Sequence, residues 1–458
     1  MSLTETDLLP GTRRALTHRL ATGQVHGRAP SVVAAVVRGG RPVWVEGRGS
    51  VDGAVPDGDV QYRIGSITKA FVAVLVLRLR AEGLLSLADP LGEHLPGTAA
   101  DQATVADLLA HTSGLAAETP GPWWERTPGA LRPALADLLG EPAQVHRPGE
   151  RHHYSNPGYA LLGALVERIR GQAWDEVLRR EVLAPLGMTR TTLLPVAPHA
   201  AGWAVHPWAD VLLPEPAVDA GRMAPAGQLW STAADLARFA AFLIDGDERV
   251  LDAEAVAEMR APACPPEAAQ WDSGYGLGLQ LLRRDGRLLA GHTGSMPGFL
   301  ATVWTSAEDD LGAVVVGNST AGLPVGALAA DLLAAVAERE PRIPAPWRPL
   351  PTVDPHLLEL AGPWYWGPVL WVLRPLADGF LELTPMSEGQ RGTRLRPTGD
   401  GGWTGLNGYF AGEPLRVERD PTGAVSHLDL GTHIFTRQPY HPARSVPGGV
   451  EEAGWRVP

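Results

Sequence analysis

The chain has 458 residues, which is too many for one ordinary hydrophobic core and predicts one large domain followed by a smaller one. Its composition, 45% hydrophobic and 20% charged, is that of a globular protein, and its net charge of −12 is spread along the chain without a basic run. Nucleic acids and anionic membrane surfaces bind to clustered Lys and Arg, so the sequence predicts neither as a partner.

The amino-terminal stretch is acidic and is followed by Arg13, Arg14 and Arg19, so no apolar core of a signal peptide is expected. The most apolar run, residues 70–77, is far shorter than the roughly 18 residues of a membrane span. The one cysteine, Cys264, lies among prolines and has no partner for an internal disulfide. These features predict a cytoplasmic protein.

Hydrophobic periodicity predicts the elements of the first domain in chain order. They are a helix over 5–25, a hairpin of strands 31–37 and 43–46, a buried helix from Ser66 to about residue 83, helical segments over 104–110, 133–139, 157–170, 173–183, 232–244 and 253–259, strands over 275–282, 287–290, 300–305 and 312–317, and a helix over 324–338. Strands at both ends of a helical middle indicate an α+β fold, with an antiparallel sheet flanked by helices and an additional all-α region.

Residues 340–355 contain six prolines and no periodicity, which is typical of a stiff linker. Eight short alternating segments with glycine turns follow between residues 364 and 436 and predict a small, barrel-like all-β domain. The expected organisation is a first domain over 1–340, a linker over 341–356, a β domain over 357–440 and a tail over 441–458.

Lysine occurs once in the chain, at Lys69, while every other cationic side chain of the Lys and Arg type is arginine. Arginine replaces lysine readily on a surface, but it stays charged where a deprotonable amine is required. The sequence therefore singles out Lys69 as a candidate for chemistry that needs a neutral amine.

Ser66 lies three residues before Lys69 at the start of the predicted buried helix, so the hydroxyl and the amine share a helix face. Burial lowers the pKa of a lysine, which can then accept the serine proton, while the helix N-terminus favours a developing negative charge. The alternative interpretation is a serine helix cap followed by a lysine that reaches to solvent.

Two further motifs carry side chains suited to proton transfer and to close approach of a ligand. Tyr154 and Asn156 precede Pro157, which suits the first helical turn, so Asn156 is the expected helix cap and Tyr154 is free to point elsewhere. The stretch 291–295, Gly-His-Thr-Gly-Ser, closes a predicted strand, and its Gly294 lets a ligand approach the backbone. Taken separately, each could be an ordinary capped helix or a hairpin turn.

The order and separation of Ser66-x-x-Lys69, Tyr154-x-Asn156 and His292-Thr293-Gly294 resemble the motifs of the class C β-lactamase group, which includes DD-peptidases, β-lactamase-like esterases and penicillin-binding-protein-type thioesterases. The stretches 108–115, 159–163 and 185–188 also fit, so the resemblance covers about residues 10–340. The β domain resembles the lipocalin-like domains appended to such enzymes.

The resemblance implies a role for each motif residue. Ser66 is the nucleophile that forms an ester intermediate, Lys69 and Tyr154 share proton transfer, and Asn156 positions Lys69 and the substrate. The backbone N–H groups of Ser66 and Ser295 form the oxyanion hole. It further implies that His292, as a catalytic residue, and Thr293 line the site beside Tyr154. No set of ligands at metal spacing and no phosphate-binding glycine motif is visible in the sequence, so no metal or cofactor is expected.

One position departs from the β-lactamase pattern, because His292 stands where that pattern has a lysine that anchors a carboxylate. Histidine is largely neutral at pH 7, so the exchange disfavours an efficient β-lactamase. Trp123 and Trp124 are candidates for a wall of the substrate site, with loop packing as the alternative. The run Trp364-Tyr365-Trp366 is expected to belong to the core of the β domain, with a ligand site as the alternative.

The leading functional hypothesis is a serine acyl-enzyme hydrolase that acts on an intracellular ester, amide or peptide. The second is a thioesterase that takes a peptidyl thioester from a carrier protein and releases it by cyclisation, for which the fifteen tryptophans and the extra domain would suit a bulky acyl chain. The third is a non-catalytic binding protein on the same scaffold, which predicts a broken motif.

Overall fold

The computed structural model describes residues 8–131, 134–264, 272–344, 346–350, 352, 354–386, 392–398 and 402–440. The predicted tail, 441–458, lies outside the described residues. The chain divides into two compact units, with the division between Arg342 and Ile343.

The longer helices and strands of the first unit follow the hydrophobic pattern of the sequence, whereas the expected helix over 133–139 is, in its described part, a short 3₁₀ helix over Leu135–Leu138. Its helices are α1 (Pro10–His26), α2 (Ile67–Ala81), α3 (Leu91–His94), α4 (Val105–Leu109), α5 (Asn156–Arg170), α6 (Trp174–Leu178), α7 (Ala224–Gly227), α8 (Ala233–Asp245), α9 (Ala253–Met259) and α10 (Val325–Arg339). Its strands are β1 (Ser31–Arg38), β2 (Arg41–Gly49), β3 (Gln61–Arg63), β4 (Trp203–Val205), β5 (Leu212–Pro214), β6 (Trp230–Thr232), β7 (Ser273–Tyr275), β8 (Gln280–Arg284), β9 (Arg287–Met296), β10 (Phe299–Ser306) and β11 (Leu311–Gly317).

A seven-stranded antiparallel sheet in the order β2-β1-β11-β10-β9-β8-β7 forms the centre of this unit. Alternate residues of its strands enter two different cores, as expected for a sheet that is covered on both faces. Val33 of β1 packs with the helical region that contains α2, α5 and α8, whereas Val32 packs with α1 and α10. The expected α+β architecture is confirmed.

Two details of the sheet differ from the sequence-based expectation. The predicted strand over 275–282 is two antiparallel strands, β7 and β8, joined by a turn in which Gly278 has φ +79°. That conformation suits glycine and ends the strand. Strand β9 also continues beyond the predicted residue 290 to Met296, so the His292-Thr293-Gly294 motif lies within the sheet.

The second unit is a closed barrel of eight antiparallel strands, which confirms the barrel-like β domain. The short helix α11 (Pro355–Leu360) precedes strands β12 (Gly362–Trp366), β13 (Val369–Pro375), β14 (Leu381–Pro385), β15 (Thr393–Pro397), β16 (Trp403–Gly405), β17 (Pro414–Arg419), β18 (Val425–Leu430) and β19 (His433–Thr436). Each strand pairs with its neighbour in sequence, and Tyr365 of β12 pairs with Thr436 of β19 to close the ring. The exact domain and linker boundaries expected from the sequence stay predictions.

Among the described residues, no helix combines the length and the apolar character needed to cross a membrane. The cytoplasmic location stays a prediction.

Candidate active site

Ser66 stands at the amino-terminal end of α2, directly before its first helical residue. Gly65, with φ +54°, turns the chain from β3 into the helix, a conformation that L side chains rarely adopt. The Ser66 side chain is half-buried, while the helix behind it is buried almost all round. The nucleophile candidate is thus accessible and held on a rigid element.

Lys69 lies in the first turn of α2 and its side chain is fully buried. Its Nζ lies 3.1 Å from Ser66 Oγ, 2.7 Å from Asn156 Oδ1 and 2.6 Å from the carbonyl oxygen of Ala226. Burial lowers the pKa of Lys69 to about 7, although the charges of Glu118 and Glu125 oppose that shift. A large fraction of Lys69 is therefore neutral at neutral pH.

The three contacts of Lys69 decide what its neutral form can do. A neutral amine has two N–H groups and one lone pair, and two of its neighbours, Asn156 Oδ1 and the Ala226 carbonyl, can only accept. When both N–H groups are donated to these oxygens, the lone pair is left for Ser66 Oγ. The geometry therefore suits Lys69 as the base that takes the Ser66 proton.

Ser155, and not the expected Asn156, caps helix α5: its hydroxyl accepts a hydrogen bond from the Gly158 N–H at 3.1 Å. Asn156 is the first helical residue, and Pro157 follows it. This shift by one residue leaves the Asn156 amide free to bind Lys69. Its Nδ2 donates to Glu118 Oε1 at 2.8 Å, which fixes the orientation of the amide.

Tyr154 lies on the loop before α5, with its ring centroid 4.8 Å from Lys69 Nζ. Burial raises the pKa of Tyr154, and a hydrogen bond with Ser66 opposes that shift only in part. The phenol is therefore protonated at working pH. Tyr154 is placed to donate a proton near Ser66, not to serve as a resting phenolate base.

The two backbone N–H groups expected to form the oxyanion hole are brought together by close backbone contact. A Cβ on Gly65 would lie 2.5 Å from the Ser295 nitrogen, and a Cβ on Gly294 would lie 3.1 Å from the Ser66 nitrogen. Thr293 donates its N–H to Gln280 Oε1, and Ser295, two residues further along β9, presents its N–H to the same edge. The N–H groups of Ser66 and Ser295 thus lie on two backbone segments in close contact, the arrangement that an oxyanion hole needs.

His292 lies beside Tyr154, with the two ring centroids 6.3 Å apart, and its role as a catalytic residue stays a prediction. Its ring is buried, its Nδ1 lies 2.6 Å from the Thr293 carbonyl oxygen, and its Nε2 lies 2.9 Å from Tyr275 Oη. The Nδ1 contact makes that nitrogen the donor, so Nε2 accepts from Tyr275. Burial lowers the pKa of His292 to about 3, so its ring is neutral and engaged with Tyr275.

Thr293 and Gly294 differ in their relation to the site. The Thr293 hydroxyl donates to Gln280 Oε1 at 3.0 Å, and its methyl group lies against Gly326 of α10, on the sheet face opposite to His292. Its side chain is therefore not grouped with Tyr154. Gly294 lies at the site, because its missing side chain allows β9 to approach Ile64 and Ser66.

Trp123 and Trp124 each hold a carboxylate near the site through an indole N–H. Trp123 is 54% exposed and donates to Glu125 Oε2 at 2.9 Å, whereas Trp124 is buried and donates to Glu118 Oε2 at 2.8 Å. Neither acidic residue stood out in the sequence, where no spacing or periodicity distinguishes them from other surface acids. Trp124 thus belongs to the chain Trp124–Glu118–Asn156–Lys69 that supports the amine.

Asp89, Glu93 and His94 bring three atoms that could bind a metal within 4.8 Å of one another. His94 Nε2 lies 2.8 Å from Asp89 Oδ2, and this hydrogen bond accounts for the arrangement. None of the three belongs to the predicted site.

Two family models match the chain, one over each unit. The model of the Beta-lactamase family matches residues 13–338. The chain belongs to the β-lactamase family. A second model, described as a domain of unknown function, matches residues 353–437 and so covers the barrel.

Curated relatives in this family match parts of the chain. Penicillin-binding protein 4 of Amycolatopsis lactamdurans is 32% identical over 264 residues, which are 52% of this chain and 67% of that protein. Protein flp of Staphylococcus aureus is 30% identical over 176 residues, which are 36% of this chain and 35% of that protein. The chain therefore spans about two thirds of the first relative and about one third of the second.

Solved structures share the fold. The octameric penicillin-binding protein homologue from Pyrococcus abyssi is 24% identical, with a TM-score of 0.63, and the match covers 93% of this chain and 98% of that one. SurE is 25% identical, with a TM-score of 0.59 and coverage of 93% and 99%. The D-amino acid amidase from Ochrobactrum anthropi SV3 complexed with D-phenylalanine is 25% identical, with a TM-score of 0.62 and coverage of 71% and 99%.

Proposed function

We propose that this member of the β-lactamase family is a serine hydrolase that forms an acyl-enzyme on Ser66. The observation that carries the proposal is the buried Lys69, whose Nζ lies 3.1 Å from Ser66 Oγ and whose pKa is lowered to about 7. A neutral amine at hydrogen-bonding distance can take the serine proton as the hydroxyl attacks. No other lysine in the chain could substitute for it.

In the proposed acylation, Ser66 Oγ forms a bond to the substrate carbonyl carbon while its proton moves to Lys69. The negative charge on the carbonyl oxygen is stabilised by the N–H groups of Ser66 and Ser295. Collapse of this intermediate breaks the bond to the leaving amine or alcohol, which receives the proton of Tyr154. Tyr154 recovers a proton from the protonated Lys69, and water then hydrolyses the ester by the same route in reverse.

The charges around the site favour a substrate that carries an ammonium group. Glu118 and Glu125 both act electrostatically on Lys69, so they lie close to the reaction centre. Glu118 is exposed, and a carboxylate has about four lone-pair positions, which leaves it able to accept from a ligand beyond its bonds to Asn156 and Trp124. His292, in contrast, is neutral and engaged with Tyr275, so it offers no cation for a substrate carboxylate.

We therefore propose as substrates the amides or short peptides of amino acids with a free ammonium group, in the D configuration. The stereochemistry rests on the name of one structural neighbour at 25% identity, the D-amino acid amidase. The acidic side chains around the site support the ammonium group independently of that neighbour.

The test uses D-phenylalanine amide, L-phenylalanine amide and N-acetyl-D-phenylalanine amide with the wild-type protein and Glu118→Gln. We expect the D-amide to be the best substrate, and N-acetylation, which removes the ammonium charge, to lower kcat/KM by about tenfold or more. Glu118→Gln should lower kcat/KM for the D-amide more than for its acetylated form. Equal turnover of both D-amides by the wild-type protein would contradict the ammonium site.

The second candidate is a thioesterase that cyclises a peptide delivered as a carrier-bound thioester. The same acidic side chains favour it, because they could hold the amino terminus of the acyl chain close to the ester on Ser66. Incubation with a peptidyl thioester that has a free D-amino terminus separates the two candidates. A cyclic product supports the cyclase, whereas linear acid alone supports the hydrolase.

A further inference from the structure

His111 is a buried histidine that the proposed acylation does not use. It follows helix α4, its exposed fraction is 0%, and its backbone is in the left-handed conformation, with φ +58°. Histidine adopts this conformation more readily than most residues, but it stays uncommon outside glycine and persists where surrounding contacts fix the backbone. Because the side chain is fully buried, it has no contact with a substrate.

His111 binds the backbone on both sides of Tyr154. Its carbonyl oxygen accepts the His153 N–H at 2.7 Å, and its Nδ1 accepts the Ser155 N–H at 3.0 Å. Its ring lies against the Tyr154 ring, with the centroids 4.1 Å apart and the planes inclined by 35°. One residue thus contacts the backbone before Tyr154, the backbone after it and the Tyr154 ring itself.

The Nδ1 contact requires a neutral His111 ring that carries its proton on Nε2. Burial lowers the pKa of His111 well below its usual range, and the charge of Lys69 acts in the same direction. The lone pair of Nδ1 is therefore available to Ser155 at any working pH. Nε2 has no hydrogen-bond partner among the described residues, so the ring has no second group to which it could pass a proton.

The backbone that leads into His111 is anchored to two other parts of the fold. The Leu109 carbonyl oxygen accepts a hydrogen bond from Tyr159 Oη of helix α5 at 2.8 Å and another from the Gly278 N–H, in the turn between β7 and β8, at 3.2 Å. His111 therefore offers the loop of Tyr154 a fixed support.

We propose that His111 is a positioning residue that holds the Tyr154 hydroxyl where it can protonate the leaving group. The inference rests on the proposed function, in which Tyr154 gives its proton to the departing amine. Without an acceptor at the place of Nδ1, the buried Ser155 N–H loses its partner, and we expect the loop to move until this group is satisfied elsewhere. A displacement of about 1 Å in a reacting group can lower the rate by about 10²-fold.

The leaving group separates a role in placing Tyr154 from a general role in the fold. An amine must be protonated as it departs, whereas 4-nitrophenolate departs without a proton. D-phenylalanine amide and the 4-nitrophenyl ester of D-phenylalanine carry the same acyl group. Because kcat/KM covers the steps up to the acyl-enzyme, the ratio of the two kcat/KM values measures proton donation to the leaving group.

Three variants differ in the acceptor that they offer to Ser155. His111→Asn keeps an oxygen near the place of Nδ1, His111→Gln moves the acceptor one methylene further out, and His111→Gly accepts the left-handed backbone but has no acceptor. We expect His111→Gln and His111→Gly to lower kcat/KM by about 10-fold to 10²-fold for the amide and by less than about threefold for the ester. His111→Asn should stay within about threefold of the wild-type chain for both substrates.

His18→Gln, at an exposed position of helix α1, is the control and should leave both kcat/KM values unchanged. Circular dichroism and labelling of Ser66 with a fluorophosphonate probe show whether each variant is folded and has a reactive serine. Equal losses for amide and ester, no loss, or loss of the fold in both His111→Gln and His111→Gly would overturn the inference. Absence of amide turnover by the wild-type chain would instead refute the proposed function, and this inference with it.

Discussion

Lys69 is the residue whose environment most directly sets the chemistry of this site. The apolar helix α2 removes water from its amine, and the chain Trp124–Glu118–Asn156 fixes one of its hydrogen-bond partners. The first effect lowers the pKa of Lys69, and the charge of Glu118 raises it, so the value of about 7 is a balance between them.

Lys69→Arg should prevent acylation while preserving a positively charged side chain. Arginine stays protonated at any working pH and so cannot accept the Ser66 proton. We expect kcat/KM to fall by at least about 10²-fold, the contribution typical of a general base. A fluorophosphonate probe forms an ester with Ser66, and the rate of this labelling, monitored by intact-protein mass spectrometry, measures the effect.

Arg80→Lys, a change of the same type on the outer side of helix α2, is the matched control and should label like the wild-type protein. Circular dichroism shows whether the Lys69→Arg fold survives. Full labelling of a folded Lys69→Arg protein would rule out the lysine base.

The pH dependence of kcat/KM should report the protonation state of the Lys69 amine. Below pH 7 the amine is protonated in the free enzyme and has no lone pair for Ser66, so activity should rise with pH through about 7. Because the charge of Glu118 raises the pKa of Lys69, Glu118→Gln should move this rise to lower pH. Glu254→Gln, at an exposed position in α9, serves as the control and should leave the pH dependence of kcat/KM unchanged. A shift of the rise to higher pH in Glu118→Gln would contradict the assignment of this titration to Lys69.

At the scale of elements, the site depends on the contact between strand β9 and the segment that leads into α2. Because Gly65 and Gly294 have no side chains, the backbone of β9 can contact the segment that leads into α2. This contact places the N–H groups of Ser66 and Ser295 next to each other. The longer β9 of the structure, compared with the predicted strand, is therefore part of how the oxyanion hole is built.

Gly294→Ala should damage this contact, because its Cβ would lie 1.9 Å from the Ile64 carbonyl oxygen, which is backbone and cannot move aside locally. Displacing β9 removes the Ser295 N–H from the oxyanion position, so we expect kcat to fall by about 10²–10³-fold. Steady-state kinetics with the best amide substrate measures the loss.

Gly326→Ala, in α10, is the control for this substitution, because its nearest neighbour, Thr293 Cγ2, would be at an ordinary contact distance of 3.4 Å. We expect near wild-type kcat for this variant. Equal activity of both alanine variants would show that the approach of β9 is not needed for catalysis.

At the scale of the whole molecule, the chain contains separate hydrophobic cores. The helical region and the sheet of the first unit bury two of them, and the barrel buries its own around Trp364, Leu383 and Phe435. The sequence around α2 and around β12 therefore serves different cores.

Trp364→Ala should destabilise the barrel selectively. The side chain is fully buried and its Nε1 donates to the Leu360 carbonyl oxygen, so truncation leaves a cavity and an unpaired acceptor. We expect a loss of about 3–5 kcal/mol in the free energy of unfolding of the barrel. Differential scanning calorimetry should show the transition of the barrel at a lower temperature, and Ser66 labelling should persist. Trp347→Ala, on the surface, should change neither the transition temperatures nor the labelling. A uniform loss of the first unit's stability would contradict this division.

The sequence by itself determined the longer helices, most strands of the central sheet, the alternation that forms the barrel, and the order of the three motifs. These features depend on local periodicity and on short spacings such as Ser66-x-x-Lys69, which a helix turns directly into proximity. The family and the fold class could be predicted from them.

Only the tertiary structure decided which partners surround those motifs. Glu118 joins Asn156 across 38 residues of sequence, His292 turns to Tyr275, Ser155 replaces Asn156 as the helix cap, and Thr293 faces α10. Each of these outcomes involves contacts with residues that are distant in the sequence; Ser155, for example, also donates its N–H to His111 Nδ1 and its hydroxyl to the Ala116 carbonyl oxygen. Burial, which brings the pKa of Lys69 to about 7, is likewise a property of the packed molecule and of no local stretch of sequence.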